Sequence, residues 1–211
     1  MEKQELRTFG RRHGKKLSTR KQFLIENVLP TISPKNIKTT GNKILEIGFG
    51  NGEHLCTLAT NNPESIIVGA EPFINGVAAL LSAITDDNNI VRNEYKNIYV
   101  WPDDVRKMFN ETNILFDEIW VLHPDPWPKA RHEKRRLLGY EFLCTLQSKL
   151  SNDGKIIIGT DHWEYFDWIT ENAKKTSMCI ESGDFGIIKT RYQQKNKANT
   201  TKPKYMILTN Q

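Results

Sequence analysis

Asp125 stands between Pro124 and Pro126, and Trp127, Pro128 and Lys129 follow it directly. Proline fixes φ and removes a backbone donor, so a turn built on three prolines is stiff and holds its single carboxylate in one direction. Beyond the turn the chain runs through Arg131, His132, Glu133, Lys134, Arg135 and Arg136. A fixed acid beside an indole and a cluster of guanidinium groups suits a site that grips an aromatic base joined to phosphates. The competing reading is a proline-rich loop with a solvated basic flank, and the crowding of these residue types into one segment favours the first.

A second constellation starts at residue 45, as Leu-Glu-Ile-Gly-Phe-Gly-Asn-Gly-Glu. Gly48, Gly50 and Gly52 let the backbone approach a ligand closely and take up positive φ. Dinucleotide folds use G-x-G-x-x-G, with pyrophosphate at the helix N-terminus, whereas this spacing is G-x-G-x-G. Glu46, just before the glycines, would repel a pyrophosphate but can receive an ammonium group. Glu71, one strand later, is placed to accept from the two hydroxyls of a ribose, and Asp103, after the next strand, from an adenine amino group. Amino acid, ribose and adenine together describe S-adenosylmethionine.

Positioning these residues requires an alternation of strands and helices. Residues 44–48, 65–71, 98–101, 116–122 and 155–159 read as strands, with 179–182 and 205–209 closing the series. Residues 53–60, 76–86, 104–109, 137–150 and 162–176 read as helices, and 22–30 as a short helix stopped by Pro30. The pattern predicts an α/β fold, a mostly parallel seven-stranded sheet with helices on both faces. Such sheets bind ligands beyond the carboxyl ends of their strands. Glu46, Glu71, Asp103, Asp125 and Asp161 fall at or just after five strand ends. Asp161 also reads as a helix N-cap.

The chain has 211 residues, enough for one domain with a proper core. Its net charge of +5 is unevenly spread. Cations gather in residues 1–21, 129–136 and 189–204, which leaves the rest of the chain acidic and points to contact with a polyanion at particular surfaces. Residues 1–21 read as a basic flexible arm that orders on a partner, and 22–211 as a single domain. Cys56, Cys144 and Cys179 are far apart and odd in number, which suits reduced thiols in a cytoplasmic protein rather than disulfides. No spacing suggests a metal site, no apolar run reaches membrane-spanning length, and no secretory signal is visible. Monomer and homodimer both remain open.

The segment Pro124-Asp-Pro-Trp-Pro-Lys129 followed by Arg131-His-Glu-Lys-Arg-Arg136 resembles the bacterial tRNA (guanine-N7-)-methyltransferase family, and the resemblance covers nearly all of the chain beyond the arm. It implies a Rossmann-like methyltransferase fold and S-adenosyl-L-methionine as cofactor, held by Glu46, Gly48, Gly50, Glu71, Asp103 and Asp125. Asp125 would also be the catalytic residue. Lys129 and Asp161, with Thr190, Arg191, Tyr192 and Gln193, would contact the substrate, and Arg131 to Arg136 the RNA. The product would be 7-methylguanosine in the variable loop of tRNA. One departure stands out: Gln193 occupies the place of a family glutamate. Its carbonyl still accepts, but the charge is lost, and hydrogen bonds to charged groups are worth about 1.5–3 kcal/mol against about 1 for neutral ones.

Guanine N7 carries a lone pair and no proton, so the expected catalysis is alignment plus stabilisation of the cationic product by Asp125. Trp127 is expected either to wall the target base or to pack in the core. Two other readings compete. One is a methyltransferase for an exocyclic base amine, which would set two prolines together after the acid. The other is a non-catalytic RNA-binding protein on a Rossmann shell, which would need a damaged cofactor pocket, whereas Glu46, Gly48, Gly50, Glu71 and Asp103 are all present. A nicotinamide dehydrogenase is disfavoured by the glycine spacing and by Glu46.

Overall fold

Residues 44–47, 66–68 and 156–158 are largely unbroken runs of isoleucine, leucine and valine, as strands covered on both faces require, and in the computed structural model they lie inside one sheet. The structure describes residues 8–37, 40–183 and 202–211. The strands are β1 (Lys43–Ile47), β2 (Ile66–Ala70), β3 (Ile98–Trp101), β4 (Phe116–Leu122), β5 (Leu150–Thr160), β6 (Cys179–Gly183) and β7 (Lys204–Thr209). They are ordered β3-β2-β1-β4-β5-β7-β6. The first five are parallel, and β7 runs antiparallel between β5 and β6. The order reverses between β1 and β4, so the switch point opens above those two strands.

Helices cover both faces: α1 (Thr19–Phe23), α2 (Glu53–Asn61), α3 (Ile74–Ile84), α4 (Val105–Glu111), α5 (Tyr140–Gln147) and α6 (Trp163–Ala173). Strand alternation sends Ile44 and Ile67 to one side, where they meet Leu55, Leu58, Val77, Leu80 and Leu81 of α2 and α3. Leu45, Ile47, Val121, Ile156 and Ile158 face the other side, against Met108, Leu143, Leu146 and Ile169 of α4, α5 and α6. The seven-stranded α/β architecture is the expected one.

Three departures from the expected boundaries are the largest in consequence. The N-terminal helix does not stop at Pro30. It continues from α1 through a π turn (Leu24–Val28) into a 3-10 turn (Leu29–Ile32), where proline sits among the first residues and its missing N–H costs nothing. The helix expected over 137–150 shortens to α5, because Gly139 caps it and Leu150 already pairs with Phe116. Residues 151–154, which resemble a turn, are a bulge in β5: pairing resumes only at Glu118 with Lys155. Among the described residues no helix is long and apolar enough to cross a membrane.

Candidate active site

A cavity of about 440 Å³ opens at the switch point, within the range of small-molecule sites. Its floor is the turn after β1, where Gly48, Gly50 and Gly52 all have positive φ. A Cβ on Gly48 would meet nothing within 4 Å, so the backbone itself faces open space there. Behind the turn α3 comes so close that a Cβ on Gly76 would clash with the carbonyl oxygen of Gly50. The turn is therefore wedged between the ligand space and a helix.

Glu71 follows β2 and lines the cavity. Its two oxygens accept from the backbone N–H groups of Gly50 and Phe73, each at 2.8 Å, which ties the glycine turn to the neighbouring strand. Burial pushes its carboxyl above the usual glutamate range. Those two N–H groups pull back only in part, and the charges of Glu46 and Asp125 add to the rise.

Two acids follow β3, and the structure separates their work. Asp104 lines the cavity and caps α4, accepting from the backbone N–H of Arg106 at 3.0 Å. It also accepts from the Arg106 side chain at 2.9 and 2.6 Å and from the Thr8 hydroxyl at 2.9 Å. Burial raises its carboxyl, but these donors outweigh it and hold the group below the usual range. Asp103 is not among the lining residues; it pairs with Arg12 of the basic arm and with Lys107 at 2.6 Å. Sequence reasoning selected Asp103 and missed Asp104. The signal was present, because an acid two residues before Arg106 at a helix start is an N-cap pattern.

The loop after β4 holds two non-glycine residues in the left-handed region, His123 at φ 49° and Trp127 at φ 42°. Each precedes a proline, which disfavours the right-handed α region, and each left-handed residue costs about 1–3 kcal/mol. The loop thus stores strain where it meets the cavity. Asp125 is exposed and lines the cavity with His123, Pro124 and Trp127. His123 Nδ1 lies 3.7 Å from Asp161 Oδ1. Burial holds the imidazole below its usual pKa although Asp161 draws it the other way.

The cationic run is a 3-10 turn (Ala130–Arg135) whose members differ in commitment. Arg136 donates to the carbonyl of Pro126 at 2.9 Å and lies over the rings of Tyr165 and Trp168, bracing the strained loop. Glu133 accepts from the Trp168 indole at 2.9 Å, and His132 meets Trp127 edge-on. Lys129, Arg131 and Lys134 are exposed.

The structure therefore brings Gly48, Glu71, Asp125, Lys134, Arg135 and Arg136 to one cavity. Gly50 reaches it only through its N–H to Glu71, and Lys129, Asp161 and Arg131 are outside the lining. Asp161 is not the N-cap of α6: that place belongs to His162, whose Nδ1 accepts from Tyr165. Glu46 is 4% exposed and not among the lining residues; one of its oxygens lies 3.3 Å from His54 Nδ1 of α2, and the other is buried without a hydrogen bond. Thr190, Arg191, Tyr192 and Gln193 lie outside the described residues. Phe9 and Arg11 of the basic arm also line the cavity, which no sequence pattern announced. Residues 8–15 lie along the rim: Gly14 N–H donates to Asn75, Asn75 donates to the carbonyl of Lys15, and Arg11 stacks on Phe73. Among the described residues no group of side chains could hold a metal ion.

A family model described as "Putative methyltransferase" matches residues 40–204. A tRNA (guanine-N(7)-)-methyltransferase of Wolbachia pipientis is 36% identical over 169 residues, covering 76% of this chain and 74% of that protein. One from Neorickettsia sennetsu is 32% identical, covering 92% of this chain and 86% of its own length. Among solved structures, an rRNA methylase from Streptococcus thermophilus superposes with a TM-score of 0.54 at 12% identity, covering 92% of this chain and 99% of that one, a likeness of fold alone.

Proposed function

The chain belongs to the tRNA (guanine-N(7)-)-methyltransferase family, and from that premise we propose that it methylates N7 of a guanosine in the variable loop of tRNA, with S-adenosylmethionine as donor. The observation that carries this reading is the single cavity joining the glycine turn and Glu71 to Asp125 and the cationic loop. The residues present fit that donor. Gly48 leaves open space against the backbone, Ile47, Val105 and Val121 offer apolar walls, and Glu71 is a buried acceptor for hydroxyl donors. When bound, the donor supplies an electrophilic methyl group on a sulfonium.

The chain's own residues then divide the remaining work. Guanine N7 needs no base to expose its lone pair, so the protein's task is alignment. Asp125, aimed by its flanking prolines, stabilises the positive charge that develops on the base. Asp161 holds the donor edge of the base from the strand alongside. Lys129, Arg131 and Lys134, exposed on the same loop, meet phosphates and position the RNA without reading its sequence. Glu46, at the end of β1 just before the glycine turn, and Asp103, which holds the arm through Arg12, serve the cofactor end of the site. Residues 22–211 form the methyltransferase unit, and the arm contributes part of its wall.

The test is methyl transfer from labelled S-adenosylmethionine to tRNA lacking 7-methylguanosine, followed by nucleoside analysis. Label should appear in 7-methylguanosine; label in an N-methylated amine of another base would overturn the assignment. In the same assay Asp125→Ala should lose about 100-fold or more in turnover while tRNA affinity stays within a few-fold. A variant with near-normal turnover would remove Asp125 from the catalytic role.

A further inference from the structure

Arg135 lines the cavity beside Asp125. Among the described residues it has no ion-pair partner, and its Nε is buried without a hydrogen bond. What holds it is aromatic: the guanidinium carbon lies 5.0 Å from the ring centroid of Trp127 and 5.5 Å from that of Phe9. All three side chains line the cavity together with Asp125. Phe9 comes from the basic arm and is 39% exposed, yet the contacts of Thr8 with Asp104 and of Arg12 with Asp103 fix its place. Trp127 is presented by a backbone in the left-handed region, between Pro126 and Pro128.

A guanidinium is a small planar cation that stacks on aromatic faces and keeps its donors at the edge. A purine has the same plan on a larger scale, a flat π-surface with a polar edge, and RNA-binding proteins stack splayed bases on such rings. RNA also brings what Arg135 lacks, phosphate oxygens that match its fork of donors. We propose that Arg135 occupies, in the free protein, the slot of the target guanine. The base enters against Trp127, Phe9 of the arm closes the slot, and Arg135 moves out onto a phosphate of the same RNA. The inference rests on the chain being a tRNA base methyltransferase, and it makes the arm part of the substrate site.

The test uses tRNA carrying 2-aminopurine at the target position, bound to saturating protein in the presence of S-adenosylhomocysteine. The emission of 2-aminopurine is quenched when it stacks on an aromatic ring. The Trp127→Ala complex should be several-fold brighter than the wild-type complex, Phe9→Ala should be intermediate, and Trp127→Phe should restore the quench. Phe9 is exposed and outside the core, so its variant reads the slot even if Trp127→Ala misfolds. Equal emission from wild type, Trp127→Ala and Phe9→Ala would overturn the slot. Arg135→Ala should keep the quench and flatten the log–log salt dependence of tRNA binding by up to about one unit. Loss of the quench in that variant would mean that Arg135 only supports Trp127, and would overturn the exchange. Methyl transfer to unsubstituted tRNA, run alongside, separates the two readings. Without methylation at N7 the proposed function fails whatever the emission does; with it, equal emission fails the slot alone.

Discussion

At Glu71 a carboxylate only 8% exposed carries its charge beside two other acids, and that cost is visible in its raised pKa. The sign for ligand binding follows. If the ionised form accepts ribose hydroxyls, affinity is full at neutral pH and falls as pH drops through the raised value, above the ordinary glutamate range of about 4.3. S-adenosylhomocysteine affinity measured by calorimetry should therefore begin to decline, as pH falls, while still above the ordinary glutamate range, and Glu71→Gln should bind more weakly with a flat profile. A wild-type profile flat down to that range would take Glu71 out of ligand contact. Glu71 and Asp125 were legible in the sequence because a strand end followed by a turn brings its residues to one rim. Glu46 was read at that same strand end, and its strand position, two residues beyond Ile44, puts it on the α2 side beside His54. A strand end tells which edge a residue reaches; the side it faces depends on alternation.

The elements that hold the site lean on small capping devices, and α4 shows how. Asp104 caps it, clasps Arg106 and anchors the arm through Thr8, all with one carboxylate. Because its folded pKa is depressed, its contribution is present above the ordinary aspartate range and is lost as pH falls through the lower folded value. Denaturant titrations should put Asp104→Asn about 1–2 kcal/mol below wild type at pH 7, with the gap closing below about pH 4. A gap unchanged at pH 3 would assign the loss to packing instead. The central strands and α2 and α3 could be read from apolar periodicity alone, since branched residues inside a doubly covered sheet leave little choice. The bulge at 151–154 could not, because Ser-Asn-Asp-Gly has turn chemistry, and only pairing across to β4 keeps it in a strand. Tertiary pairing also explains the early end of α5.

On the scale of the whole molecule, charge and topology set how the protein meets RNA and how it assembles. The exposed cations of the proline loop differ from Arg136, which is spent on bracing that loop. Arg131→Ala combined with Lys134→Ala should flatten the log–log salt dependence of tRNA binding by up to about two units, with methylation at saturating tRNA little changed; an unaltered slope would mean these side chains never reach phosphate. The partner class could be read from charge, whereas the arm's place along the rim could not, since its contacts are scattered hydrogen bonds without periodicity. The sheet order has a consequence of its own. β7, residues 204–209, is inserted between β5 and β6, with Met206 and Leu208 fully buried. During synthesis, β5 must leave the ribosome with one edge bare and wait for some fifty further residues, about 3–10 s at ordinary elongation rates. Until β7 arrives, that hydrophobic edge is open to any passing strand, so the nascent chain is at its most aggregation-prone until residues 204–209 have emerged.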